Sequence, residues 1–191
     1  MVAVDFSFAR PSVESLKAAD VVAVGRYLSG AGKAVSGPEV ASYDQAGIVT
    51  WFVMENSAND AATGHTGGLL TASMSSFALA GVIGQAAASV QPRYFAVDEA
   101  VDPSAVVGYF VGISRVIDPK LVGVYGDGAI CNYLGATGLA SWFWQSSSSS
   151  YPGNQTTIPA AHIRQGLGGP LPGTDLDTLL QGDVGQYPRP T

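Results

Sequence analysis

An α/β fold closed as an eight-stranded parallel barrel is what this sequence predicts, and three observations carry that expectation. Short runs rich in Val, Ala, Phe and Tyr alternate with helical stretches along the chain. Most runs are continuously apolar rather than alternating with polar residues, the pattern of strands buried on both faces. There are eight of them, and each ends on or beside a polar side chain. The length of 191 residues suits one domain, expected to span 1–191, although a TIM-type barrel more usually takes about 250.

In chain order the predicted strands are 2–6, 21–27, 47–55, 93–98, 121–125, 141–145, 162–165 and, most weakly patterned, 174–177. The predicted helices are 12–19, 37–46, 68–89, 102–117 and 128–137. Pro11-Ser12 and Asp102-Pro103 have the composition of helix entries, while Gly47, Gly138 and Asp118-Pro119 have that of exits. Beyond residue 145 come a serine run at 146–150 and a Gly/Pro loop at 166–173, so the later helices are expected to be short or missing. The stretch 69–90 is apolar, but Ser73, Ser75, Ser76 and Gln85 make it read as a buried helix rather than a membrane span.

Composition removes several function classes. Nine Lys and Arg stand against fifteen Asp and Glu, a formal charge of −6. So few basic residues cannot replace the counterions of a nucleic acid or form a polybasic membrane patch. One cysteine, Cys131, excludes an internal disulfide and a Cys-rich zinc site, and its apolar neighbours mark it as a small buried hydrophobe. His65 and His162 are too few for an all-histidine metal centre. Gly32-Lys33-Ala34 fails as a phosphate loop, Gly126-Asp127-Gly128 lacks the third glycine of a dinucleotide fingerprint, and no G-x-S-x-G elbow occurs. No cofactor and no metal are expected. The one opening for calcium or magnesium is the Asp175/Asp177 pair, which shares a strand face. Residues 1–5 meet Asp5 after three apolar positions, so the expectation is synthesis in the cytoplasm without a signal peptide.

The chemistry lies at the strand ends. Asp5, Arg26-Tyr27, Glu55, Asp98, Tyr125, Gln145, Gln165 and Asp177 close the eight runs in turn. If all strands run the same way, these ends converge on the rim where barrel active sites are built. Charged residues ending buried apolar strands are costly unless they are paired or functional. Asp5, Glu55, Asp98 and Asp177 fit acid/base work on a glycosidic bond, which needs one protonated and one ionised carboxyl. Tyr27, Tyr125 and Trp144 offer stacking surfaces to sugar rings, and Arg26, Gln145 and Gln165 offer polar contacts. Arg26 is expected inside the mouth, beside a carboxylate that it keeps ionised.

These residues also form a recognisable series: Val4-Asp5-Phe6-Ser7, Gly25-Arg26-Tyr27-Leu28, Tyr94-Phe95-Ala96-Val97-Asp98, Gly123-Val124-Tyr125-Gly126, Trp144-Gln145 and His162-Ile163-Arg164-Gln165. In that order they resemble the glycoside-hydrolase-like domain once designated DUF1906, related to the GH25 muramidases and found in actinobacteria and their phages. The resemblance implies a TIM-type barrel and peptidoglycan as target. The muramidases end their fourth strand on Asp-x-Glu. Here the run is Asp98-Glu99-Ala100, so the second inward position is an alanine. Glu55, at the end of the neighbouring strand, is the expected substitute. The functional expectation is therefore a peptidoglycan-directed glycoside hydrolase of the phage or phage-derived lysin type, acting at the cell wall or within a phage particle. Two alternatives stand beside it: a barrel that binds wall sugar without cleaving it, and a structural part of a virion tail contacting other virion proteins.

Overall fold

The computed structural model describes residues 2–156 and 158–189, the side chain of Gln155 excepted. Eight strands close into one barrel in sequence order: β1 Val2–Asp5, β2 Val21–Tyr27, β3 Val49–Met54, β4 Arg93–Ala96, β5 Val122–Gly126, β6 Trp142–Gln145, β7 Ile163–Gln165 and β8 Asp175–Leu179. The fold class read from the sequence is the one observed. Alternate residues fill the inside, where Ala3, Ala23, Trp51, Val53, Tyr94, Ala96, Trp144 and Ile163 form one apolar cluster. Large and small residues interleave there. The Trp51 indole lies over Gly25, where an added Cβ would come within 2.7 Å of the ring. The opposite phase meets the helices: Phe52, Phe95 and Val124 pack with Leu79, Tyr109 and Ile113, while Val4 and Val24 pack with Leu16 and Tyr43.

Among the described residues six α-helices surround the barrel: α1 Val13–Ala18, α2 Gly37–Gln45, α3 Gly64–Ile83, α4 Gln85–Ala88, α5 Val107–Ser114 and α6 Gly128–Ala136. Ser12, Ser36 and Asp127 each cap a helix by accepting from a backbone N–H three residues on. The stretch expected as one buried helix divides at Gly84, whose φ of 83° ends α3 and starts α4. Nor is α3 buried throughout: Leu70, Met74 and Phe77 are exposed on its outer face, Phe77 at 86%. By length and composition this helix could cross a bilayer. In the fold its inner residues Ala72, Ser75 and Leu79 are buried. Among the described residues there is only a 3-10 turn, Pro152–Gln155, between β6 and β7 and no helix between β7 and β8, so the later helices are short or missing as expected.

One topological expectation is corrected. β1 to β7 are parallel to their neighbours, but β8 is antiparallel to both β7 and β1. The physical reason is the connection. Nine residues, 166–174, separate β7 from β8, too few for a parallel crossover, which needs about a dozen or more. Beyond β8 the chain runs under the bottom of the barrel. Tyr187 exchanges two backbone hydrogen bonds with Thr50, Tyr94 Oη donates to Val184 O at 2.8 Å, and Gln91 Nε2 donates to Gly185 O.

Candidate active site

At the opposite end the C-terminal ends of β1 to β7 open into a mouth cavity of about 410 Å³. Its lining includes Asp5, Tyr27, Asp98, Tyr125, Gln165 and Asp175, with the serines at 147–149 along one side. Five residues expected at the site are therefore brought together, and they share one reason. Asp5, Tyr27, Asp98, Tyr125 and Gln165 all stand in the inward phase of their strands, in step with Ala3, Gly25, Ala96, Gly123 and Ile163.

The other expected residues lie elsewhere. Arg26 takes the outward phase, between Gly25 and Tyr27. Fully buried in the wall, it donates to Glu39 Oε1 at 2.8 Å, to Phe6 O and to Lys33 O. Its carboxylate partner belongs to α2 and not to the mouth, which corrects the expected role. Gln145 is outward for the same reason and ties down the following loop by donating to Thr156 O at 3.1 Å. Trp144 faces inward but below the floor, fully buried against the edges of Trp51, Tyr94 and Tyr125. Glu55 is in phase yet outside the cavity lining, because the loop after β2 folds Lys33 Nζ onto it at 2.9 Å. Asp177 is displaced by the reversal of β8. Asp175 pairs with Asp5 at the rim, and Asp177 pairs with Ala3 one level deeper. There it accepts from Trp144 Nε1 at 2.9 Å.

Two residues that sequence reasoning left out of the site complete it. Asp175 joins the rim once β8 is reversed. Tyr151, in the loop after the serine run, donates its hydroxyl to Asp98 Oδ1 at 2.8 Å. That loop carries no periodic pattern, so an aromatic within it was the only available signal. Asn154 Nδ2, donating to Ser146 Oγ and Ser148 O, holds the loop in shape.

The electrostatics of the mouth are one-sided. Asp5, Asp98 and Asp175 line it, and no Lys or Arg does. Burial pushes Asp5 up to about 7; the neighbouring Asp175 adds to the rise, and the hydrogen bond that Gln165 Nε2 donates to Oδ2 at 2.9 Å opposes it. Gln165 is oriented in turn by Tyr125, whose hydroxyl donates to Oε1 at 2.9 Å. Burial and the surrounding carboxylates raise the Tyr27 and Tyr125 phenols, so both stay protonated donors at neutral pH. Among the described residues, no three His, Cys, Asp or Glu side chains are grouped to hold a metal ion. Cys131 is fully buried, its thiol pushed up by desolvation, and His162 Nδ1 accepts from the Phe143 N–H beneath the barrel.

One family model matches most of the chain that builds this barrel and its mouth. The Rv2525c-like, glycoside hydrolase-like domain matches residues 14–179. This chain belongs to that family. A search of curated proteins returns no match. Among solved structures, the Rv2525c-like fold is shared with the Tat-secreted protein Rv2525c of Mycobacterium tuberculosis, with a TM-score of 0.86 and 22% identity over 97% of this chain and 98% of that one. It is shared more loosely with the catalytic domain of endolysin ply40 from Listeria monocytogenes bacteriophage P40, at 0.59 and 16% identity over 96% and 94%. The modular autolysin LytC of Streptococcus pneumoniae, solved with a synthetic peptidoglycan ligand, follows at 0.56 and 12% identity, over 92% of this chain and 46% of that one. At such identities the likeness is one of fold. The expectation of synthesis in the cytoplasm without a signal peptide is contradicted by the first of these neighbours, which is Tat-secreted.

Proposed function

We propose that this chain acts, as one domain over 1–191, as a peptidoglycan-directed glycoside hydrolase of the lysin type. Asp5 is the proton donor and Asp98 the opposing carboxylate. The observation that carries the reading is the unlike setting of these two acids on one cavity. Asp5 is buried and raised to about 7, so it holds its proton over much of the neutral range. Asp98 stands at the cavity edge, partly exposed, with Tyr151 donating to it. Such a pair meets the requirement for glycosidic cleavage, an acid on the leaving oxygen and a carboxylate facing the anomeric carbon. Tyr27 and Tyr125 supply aromatic faces for sugar rings, and Gln165 with the serines at 147–149 supplies hydroxyl partners. Glu55, bound to Lys33, and Asp177, beneath the floor, are left out of the reacting pair. The fold that this chain shares with an endolysin and an autolysin supports a glycan target. Its likeness to a Tat-secreted protein supports action outside the cytoplasm, at the wall.

One observation favours a second reading, a barrel that binds wall sugar without cutting it. The inward position after Asp98 is Ala100, where the related muramidases carry a second acid. Release of reducing ends from purified cell walls separates the two. The hydrolase releases them, with or without chelator, and Asp98→Asn abolishes the release. Wall binding by the wild-type protein without any release establishes the second reading.

A further inference from the structure

Below the mouth lies an acid outside the mouth lining; it borders instead a cavity along β1 and β8, with Ala3, Val22 and Leu179, and among the described residues it forms no salt bridge. Asp177 is buried among Trp144, Tyr94 and the backbone of β1. Trp144 Nε1 occupies its Oδ1 at 2.9 Å, while its Oδ2 is buried with no acceptor or donor assigned to it. One level up, Gln165 Nε2 occupies Asp5 Oδ2. The orientation of that amide is not free. A backbone N–H can only donate, and the Ser147 N–H reaches Gln165 Oε1, at 3.5 Å, from the same side as the Tyr125 hydroxyl. Each acid thus has one oxygen engaged by a neutral donor, and the two share one inner face: Asp177 is in register with Ala3, one inward position below Asp5, and on its other side with Gln165, whose amide holds Asp5.

We propose that Asp177 is a positioning residue that donates a hydrogen bond from Oδ2 to Asp5, with Trp144 as the latch that keeps the donor oxygen turned that way. A carboxyl can donate only while it keeps its proton, and the surroundings of Asp177 keep it there. The groups facing the pair are Asp175, Gln165, Tyr27 and Tyr125 at the rim and Tyr94 and Trp144 below. The nearest guanidinium, that of Arg26, lies in the outer layer and is committed to Glu39. Two carboxylates cannot both ionise in such a site, and the deeper one retains the proton. Burial and the charge of Asp5 together hold Asp177 well above the ordinary carboxylate range, whereas Asp5 comes to about 7. When Asp5 gives its proton to a leaving group, the new carboxylate therefore meets a donor from below instead of a second negative charge.

This inference rests on the reading of Asp5 as the acid, but its test does not need catalysis. The Asp5 carboxyl is titrated by carbon NMR in the intact protein and in two variants. Asp177→Asn keeps an acceptor for Trp144 and supplies an amide donor, so the Asp5 midpoint is expected to stay within about half a unit of wild type. Asp177→Leu removes the donor, and the midpoint is expected to rise by about one unit or more, since a hydrogen bond to the charged form is lost. An ionised Asp177 predicts the opposite sign: either variant removes a negative charge and lowers the midpoint, and that result overturns the proposal. If Asp177→Leu does not fold, the Asn variant alone decides, by staying or by falling. Wall cleavage supplies an independent arm. The Asn variant is expected to keep release within about tenfold of wild type, whereas a catalytic Asp177 would lose at least about a hundredfold. If the wild-type protein releases no reducing ends, the hydrolase reading fails while the titration still tests the donor.

Discussion

The two ends of the barrel are built from the same eight strands and could hardly differ more. At the bottom the segment after β8 closes the opening with Tyr187 paired to Thr50, Val184 buried in the barrel cluster, and Arg189 bound bidentately to Asp183 over the Trp142 ring. The backbone groups of Thr50 and Tyr187 and the charges of Arg189 and Asp183 are all paired there, although the Thr50 hydroxyl is not. At the mouth Asp5, Asp98 and Asp175 converge with no cation among the lining residues. One end pairs its charges and contributes to stability. The other leaves charge unbalanced, a departure from what folding alone favours, and such departures mark sites of function.

The sharpest way to break the comparison is Asp5→Asn. Loss of the general acid is expected to reduce release of reducing ends by about 10²–10⁴-fold. The same variant is expected to melt higher than wild type above pH 7. The sign follows from linkage. The folded state holds the Asp5 proton up to about 7, whereas the unfolded chain releases it near the ordinary carboxylate value of 3.8. The native state thus binds more protons across that window, and stability falls as pH rises through it, by an amount on the order of a few kcal/mol. Thermal melts between pH 4 and 8 check both halves: the decline is expected to be steeper in wild type than in Asp5→Asn, where buried Asp177 alone still contributes to it.

Arg26→Met comes next. This buried guanidinium binds Glu39 and two carbonyls, so its loss is expected to lower stability by about 3–5 kcal/mol in chemical denaturation. Because it faces outward, the Asp5 midpoint is expected to move little. A large move would return Arg26 to the mouth. Tyr94→Phe tests the bottom alone. It removes a buried donor to Val184 O and is expected to cost about 1–3 kcal/mol, with wall release unchanged in the folded protein. Lys33→Met has the smallest expected effect. Its pair with Glu55 is largely buried, 18% and 10% exposed, but water still reaches the carboxylate left behind, and its loss is expected to lower stability by about 1 kcal/mol. A hundredfold change in release would put Glu55 back among the reacting groups.

How much of this was legible in the residues depends on phase. The strand runs could be read because Val, Phe and Tyr recur without polar interruption, and each observed strand lies within or beside its expected run. Asp5, Tyr27, Asp98, Tyr125 and Gln165 could be read as a group because each is the last inward residue of its run. Arg26 and Gln145 were misassigned by counting ends without counting phase, although the small residue Gly25, beneath Trp51, marks the inward side of β2. The reversal of β8 was legible in principle from the nine-residue connection. Tyr151 was not, because a serine-rich loop has no period from which a contact across the barrel can be inferred. The protonation of Asp5 also lay beyond sequence, since it depends on Asp175 and Gln165, side chains about 160 and more residues away that only closure brings near.

That closure bears on how the chain finds its fold. Seven of the eight seams join strands that follow each other in sequence, but the eighth joins β1 to β8, the first strand to the last. No seam on that side can form until nearly the whole chain is present, so ring completion belongs late in folding and is slow by the logic of sequence-distant contacts. Until then β1 and β7 are open edges, each offering unpaired backbone groups to any other extended chain. An antiparallel last strand delivered by a nine-residue turn shortens that exposure, because β8 can dock on β7 as a hairpin arm and swing onto β1 in a single step.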